Sequence, residues 1–372
     1  MNQQAYRRIL PESNNLNGYQ SNDIIDFQLL NQGQELVNNS IFLDFEVEVQ
    51  PTANTDVLDT DNIYLDQHIG SNSFFDSWQV STSSGGQLQN LQNYQRLVSM
   101  VGQGTNNNND NFSSDVENPG IGIFKENGKI ALQRTTPQLN TDKGSNYFNP
   151  QFTIKPMICL NQMEGGSYQF DQNGSLTIST RIASLQNALF GVNNVSTTTY
   201  TIKNIQLRYK TRIAVKNNQP SMMTSYINIK QTLISQQNVI QSVIPSSSVS
   251  GIIMSFIQQS DENNYINNTH ELQMLRNIQS LRWIFNGSLQ DRITYEITDV
   301  KSMQDQGLSV LRSEYNNMTY QQLASDETFM IGLDFQQMLD LSQTVQEVNI
   351  NLSAPLSNTY TAYMYFKEFI KL

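Results

Sequence analysis

TYTIKNIQLRYKTRIAVKNNQPSMMTSYINIKQTLIS, residues 199–235, reads as a strand, a polar break and a second strand. Tyr200, Ile202, Ile205, Leu207 and Tyr209 supply the apolar side of the first strand. Amides and Pro220 then interrupt it over residues 217–220, and a proline that cannot donate to a central ladder belongs between strands. A β pattern that stops midway through 372 residues and resumes predicts that one β domain closes there and another opens. The length agrees, because a single hydrophobic core stops growing at about 250–300 residues.

The flanking segments are strands in style. In IFLDFEVEVQ (41–50), Leu43, Phe45, Val47 and Val49 share one face, while Asp44, Glu46 and Glu48 share the other. SNSFFDSWQV (71–80) places Phe74, Trp78 and Val80 together ahead of the turn-prone STSSGG. QLQNLQNYQRLVSMV (87–101) spaces its apolar residues at threes and fours and predicts a short helix. Residues 102–120, almost purely polar, read as a long exposed loop.

GIFK and GKIALQR flank a tight turn at Asn127-Gly128, and SYQFDQNGSLTISTRI (167–182) reads as a hairpin with Asn173-Gly174 at its tip. Beyond the break, YINIKQTLI, VSGIIMSFIQ and SLRWIFNGSLQDRITYEI continue the style, with Asn286-Gly287 as a second hairpin signal. A helix is expected in SMQDQGLSVLRSEY (302–315), and VQEVNINLS and YTAYMYFKEFI close the chain as strands. The fold class is therefore all-β with a few short helices in loops, in the style of sandwiches or jelly rolls. The expected division is an N-terminal arm over residues 1–20, a first jelly roll over 21–216 and a second over 217–372.

Composition narrows the function. Charged residues make up only 15% and are outnumbered by Asn and Gln, while seventeen Phe and sixteen Tyr suffice to fill real cores. A formal charge of −11 argues against a broad surface for nucleic-acid phosphates or acidic lipid headgroups. The one basic cluster near the N-terminus is Arg7 and Arg8, read as a solvated arm that orders on assembly. No run of about 18 apolar residues spans a membrane. Cys159 stands alone within the apolar PMICL and reads as a buried structural thiol of a protein made in a reducing compartment.

Groups for chemistry are sparse. His68 and His270 lie in different halves without metal-spaced partners. GIFKENGKI departs from a phosphate loop, since Ile130 stands where a Mg²⁺-binding hydroxyl is needed. Asp56, Asp59, Asp61 and Asp66 lack the glycine and terminal glutamate of a Ca²⁺ loop. No catalytic residue, cofactor or metal site is expected, and the chain reads as a non-enzyme.

Several stretches resemble the double jelly-roll major capsid proteins of tailless icosahedral double-stranded DNA viruses, in particular those of virophages and polinton-like viruses. They are NSFFDSWQVSTSSGGQLQNLQNYQRL (72–97), SYQFDQNGSLTISTRIASLQNALFG (167–191) with YTIKNIQLRYKTRI (200–213), and VIPSSSVSGIIMSFIQQSDENNYINNTHELQMLRNIQSLRWIFNGS (243–288). The resemblance implies a homotrimer whose six barrels make a six-sided, pseudo-hexameric tile. Its implied partners are further copies of itself, penton and minor capsid proteins and an internal viral membrane, with no sequence-specific nucleic acid. Its implied place is the virion, after synthesis in the host cytoplasm. A carbohydrate-binding β-sandwich surface or fibre protein is the alternative from another class, and a β-sandwich glycosidase a third.

Overall fold

The computed structural model describes residues 4–13, 15–50, 63–66, 69–105, 123–126, 129–132, 151–191, 198–215, 221–270, 272–273, 275, 277–286, 292–311, 330–342 and 345–372. Sixteen strands carry the architecture. The first eight are β1 (Gln4–Ile9), β2 (Ile24–Leu29), β3 (Phe42–Gln50), β4 (Phe75–Thr82), β5 (Gln87–Leu91), β6 (Gln151–Ile154), β7 (Leu176–Ile182) and β8 (Thr199–Ile213). The second eight are β9 (Ser221–Leu233), β10 (Gln237–Val243), β11 (Val249–Gln258), β12 (Ile278–Asn286), β13 (Arg292–Ile297), β14 (Met330–Leu339), β15 (Val345–Leu352) and β16 (Tyr360–Lys371).

Hydrogen bonding joins β1-β8-β3-β6 in one sheet and β2-β7-β4-β5 in another, all antiparallel. The second set repeats this order with every label raised by eight: β9-β16-β11-β14 and β10-β15-β12-β13. Eight strands in two sheets of orders 1-8-3-6 and 2-7-4-5 are a jelly roll, and the chain is two of them in tandem; the short strands Gln34–Leu36 and Tyr168–Gln169 extend the first sheet of the first roll, and Met163–Gly165 extends that of the second by pairing with β9. A smaller antiparallel sheet joins Phe190–Gly191, Ile63–Asp66, Lys129–Leu132 and Ile123–Glu126. Each roll also carries a helix after its fifth strand, α1 (Tyr94–Thr105) and α2 (Val300–Leu311).

The break at residues 217–220 and the loop beyond Thr105 to residue 120 lie outside the described residues, as does the Asn127-Gly128 turn. The last strand of the first roll ends at Ile213 and the first of the second begins at Ser221.

Four expectations are corrected. Residues 4–9 are not a free arm but the first strand of the first roll, paired with β8 from Gln4↔Arg212 to Ile9↔Leu207. The alternation of QAYRRI is hidden because this is an edge strand with Tyr6, Arg7 and Arg8 all exposed. The predicted helix starts at Tyr94 rather than near Leu88. Gln87–Leu91 instead pairs with β4, from Trp78↔Leu91 to Ser81↔Gln87, and that cross-strand partner overrides the helical spacing. Residues 102–105 accordingly end α1 instead of opening a loop.

Asn173-Gly174 is also not a hairpin tip. Tyr168–Gln169 pairs with Gln34–Leu36, whereas β7 pairs with β2 and β4, so Phe170–Asn173 is a helical turn crossing between sheets. Gly174 closes it at φ +84°, where a Cβ would also strike Ser83. The other hairpin signal is met: β12 and β13 pair from Leu281↔Ile297 to Asn286↔Arg292.

The first roll is filled from alternating strands. Along β3 the buried positions are Leu43, Phe45, Val47 and Val49, and Phe45 stacks on Phe152 at 5.5 Å and meets Phe75 edge-on at 5.1 Å. The second roll centres on Trp283, whose ring lies 5.3 Å from Phe366. Among the described residues no helix is long and apolar enough to cross a membrane.

Candidate functional site

The contact between the two rolls comes from strands that are buried on both faces. Along β16, Ala362, Met364 and Phe366 enter the core of the second roll, while Tyr363 and Tyr365 between them join the cluster that fills the first. Along β11, Ile252, Met254 and Phe256 point inward, and Ile253 and Ile257 point to the first roll. Their sequences, GIIMSFI and YTAYMYF, are near-continuous apolar runs. That is the signal of a strand covered on both sides, and it could have located this junction in advance.

Helix α1 is the wedge. Asn93, at φ +51°, turns the chain out of β5, a conformation asparagine tolerates. Its carbonyl accepts from the Tyr365 hydroxyl at 2.6 Å, and its side-chain amide donates to Asn228 Oδ1 at 2.6 Å. Tyr94 anchors the helix on the first roll by donating to Asn72 Oδ1 at 2.7 Å. Arg96 is 4% exposed, donates to the Thr269 carbonyl and lies 5.0 Å from the centre of the Tyr363 ring.

The segment after β11 straps the second roll onto the first. The Tyr265 carbonyl accepts from Gly191 N at 2.8 Å, and the His270 carbonyl accepts from Ser99 Oγ at 2.6 Å. His270 Nε2 donates to the Asn187 carbonyl at 2.5 Å, which fixes the neutral tautomer. Burial, and next the Arg96 guanidinium, push His270 down to about 4, with Asp66 pulling the other way. Within the second roll Glu262 accepts from Lys230, from Tyr363 and from Thr361 Oγ1, the last at 2.6 Å. The junction is apolar packing laced with hydrogen bonds, with the buried Ser255 hydroxyl between Ile253 and Ile257 left without a partner.

Arg7 and Arg8 sit apart from this junction, on the free edge formed by β1. Arg7 reaches Gln34 Oε1 at 3.4 Å, and Arg8 stands opposite Arg208 in the register. The outer face of the same sheet is a ladder of opposite charges: Lys203 pairs with Glu48 at 2.6 Å, Arg208 with Asp44 and Arg212 with Glu35. Asp44, Glu46 and Glu48 were legible as one strand face; β8 supplies Arg208 for Asp44 and Lys203 for Glu48, while Glu46 accepts from Asn204 Nδ2 at 2.6 Å.

The remaining groups of chemical interest do not converge. Cys159 is fully buried, its backbone N–H bonded to Gln89 Oε1 at 2.9 Å, and burial pushes its thiol up to about 12, so it is inert. His68, Asp56, Asp59 and Asp61 lie outside the described residues. Among the described residues no group of three His, Cys, Asp or Glu could hold a metal ion.

Neither a family model nor a curated protein sequence matches the chain. Solved structures do. PBCV-1 VP54, fitted into a reconstruction of the virophage Sputnik, superposes with a TM-score of 0.62 at 8% identity over 100% of this chain and 95% of its own. The faustovirus major capsid protein gives 0.59 at 9% identity over 100% and 91%. The mavirus major capsid protein gives 0.52 at 9% identity over 99% and 90%. At such identities the likeness speaks for the fold, and it agrees with the strand order read independently from the hydrogen bonds: the chain is a double jelly roll of the kind found in viral major capsid proteins.

Proposed function

We propose that this chain is a major capsid protein, the structural subunit of an icosahedral virion shell, and that three copies form a six-cornered tile. The observation that carries the reading is the tandem repeat itself. Two rolls of identical strand order in one rigid chain supply two similar wedges, and three chains supply six, which suits lattice positions of local six-fold shape. End-to-end correspondence with capsid proteins, above 90% of both chains, supports this over the carbohydrate-binding alternative. In this reading the chain is a shell subunit rather than an enzyme, as the capsid proteins among its structural neighbours support.

In this reading the rolls join across residues 217–220, and the protein is made in the host cytoplasm and resides in the virion. Its partners are neighbouring tiles, penton and minor capsid proteins and an internal viral membrane. Arg7 and Arg8 act in assembly from the β1 edge. Light scattering on the purified protein, with electron microscopy of the same sample, tests the proposal. Particles of three chains, seen as hexagonal tiles or closed shells, are expected. A protein that stays monomeric at every concentration would refute it.

A further inference from the structure

The strap over residues 265–270 belongs to the second roll, yet its polar ties reach the first. Gly191 N donates to the Tyr265 carbonyl at 2.8 Å, Asn268 Nδ2 donates to Asp66 Oδ2 at 2.5 Å, and Arg96 donates to the Thr269 carbonyl. At the end of the strap His270 is held twice, by Ser99 Oγ on its carbonyl and through Nε2 on the Asn187 carbonyl. Thr269, His270 and Arg96 are all buried.

We propose that His270 is an acid-sensitive latch between the two rolls: on taking up a second proton it releases the first roll and frees the strap. The inference concerns a single chain and stands whether or not copies assemble.

The chemistry follows from where the protons sit. Nε2 carries the proton given to the Asn187 carbonyl, so a second proton goes to Nδ1 and turns a neutral, buried ring into a cation. The Arg96 guanidinium is already a buried cation, bonded to the carbonyl of the peptide unit that leads into His270. Of the groups facing the ring, α1 offers Arg96, the Ile63–Asp66 strand offers Asp66, and the turn Leu185–Ala188 offers the Asn187 carbonyl. Asp66 also faces Arg96, so one carboxylate would serve two cations. Glu262, the other acid facing Arg96, is engaged by Lys230, Thr361 and Tyr363. Asp76 faces Tyr363 and Tyr365 across the junction, and burial raises its carboxyl, so it loses its charge early as pH falls.

In the open strap the ring is in water and has no such neighbour. Opening is therefore favoured as pH drops from the ordinary histidine value of 6.5 towards the closed value of about 4, by at most about tenfold per pH unit for one proton. The sheets of both rolls keep their own ladders while the strap opens, because the strap's ties lie outside them.

The test is amide hydrogen exchange on the whole chain between pH 7 and pH 4, corrected for the intrinsic pH dependence of exchange. Gly191 N and His270 N, the latter bonded to Asn268 Oδ1, are expected to lose protection at least about tenfold between pH 6 and pH 4, while β12 and β15 keep theirs. His270→Gln keeps a side-chain donor for Asn187 but cannot take the proton, and its strap should stay equally protected throughout. Ring resonances of ¹³C-labelled histidine in the unaltered chain give a readout that does not depend on that variant folding, with His68→Gln assigning the two signals. The His270 signal should titrate well below 6.5 and in step with the loss of protection. Strap protection that ignores pH, a loss shared equally by β12 and β15, the same loss in His270→Gln, or a ring that titrates at its ordinary value would each overturn the latch.

Discussion

His270 shows how a single residue acquires a role from its surroundings. In sequence it is one of two unremarkable histidines. In the fold it is 6% exposed, is faced by Arg96 from α1 and Asp66 from the Ile63–Asp66 strand, and donates to Asn187. Because its folded value is pushed from 6.5 to about 4, the unfolded chain binds the proton more readily between those values. Its contribution to stability is therefore complete above pH 6.5 and is lost as pH falls through 4, at a slope of at most about 1.4 kcal/mol per pH unit. Asp76 and Glu368, raised by burial, act in the opposite sense, losing stability as pH rises. His270→Gln isolates the histidine: denaturant midpoints taken from pH 7 to pH 4 should fall less steeply in the variant than in the unaltered protein. Parallel curves would mean that the ring is not the titrating group.

At the scale of elements, helix and strand meet through glycine. Helix α2 crosses β14 with Gly307 against Gly332. A Cβ on Gly307 would lie 2.9 Å from the Ile331 carbonyl carbon, and one on Gly332 would strike Gly307 and the Ile252 carbonyl oxygen. The atoms in the way are backbone, which cannot rotate aside, so the elements must separate. Gly332→Ala is expected to destabilise the second roll by about 1–3 kcal/mol, read from urea unfolding, and Gly307→Ala to act in the same direction. The helix itself was legible in SMQDQGLSVLRSEY, but its contact was not, because nothing in the spacing says which strand a glycine will meet. The same holds at β1. QAYRRI pairs with β8 across some two hundred residues, and an edge strand with three exposed side chains in a row carries little period-two signal.

For the whole molecule, the junction decides whether two rolls behave as one body. Tyr363, Tyr365, Ile253 and Ile257 share a cluster with Trp78, Tyr94 and Leu97, and the strap adds hydrogen bonds from residues 265 and 270 to the first roll. Calorimetry is expected to show one cooperative transition for the unaltered chain. Arg96→Ala strips a donor from the Thr269 carbonyl and a cation from the Tyr363 ring, and should split that transition in two. Two separate transitions already present in the unaltered protein would show that the junction couples the rolls weakly.

By itself the sequence determined that the chain is all-β, that its strand pattern stops and resumes midway along the chain, and that charged and apolar positions alternate along β3. These follow from local rules: the two-residue period of a half-buried strand, the missing N–H of proline and the capacity of a single core. Only tertiary structure decided that Arg7 and Arg8 lie on a strand of the first roll, that residues 87–91 pair rather than coil, and that His270 and Arg96 meet at the junction. Each of these depends on a partner far away in the chain, and a side chain's burial, charge state and strand register belong to the pair it forms rather than to the residue alone.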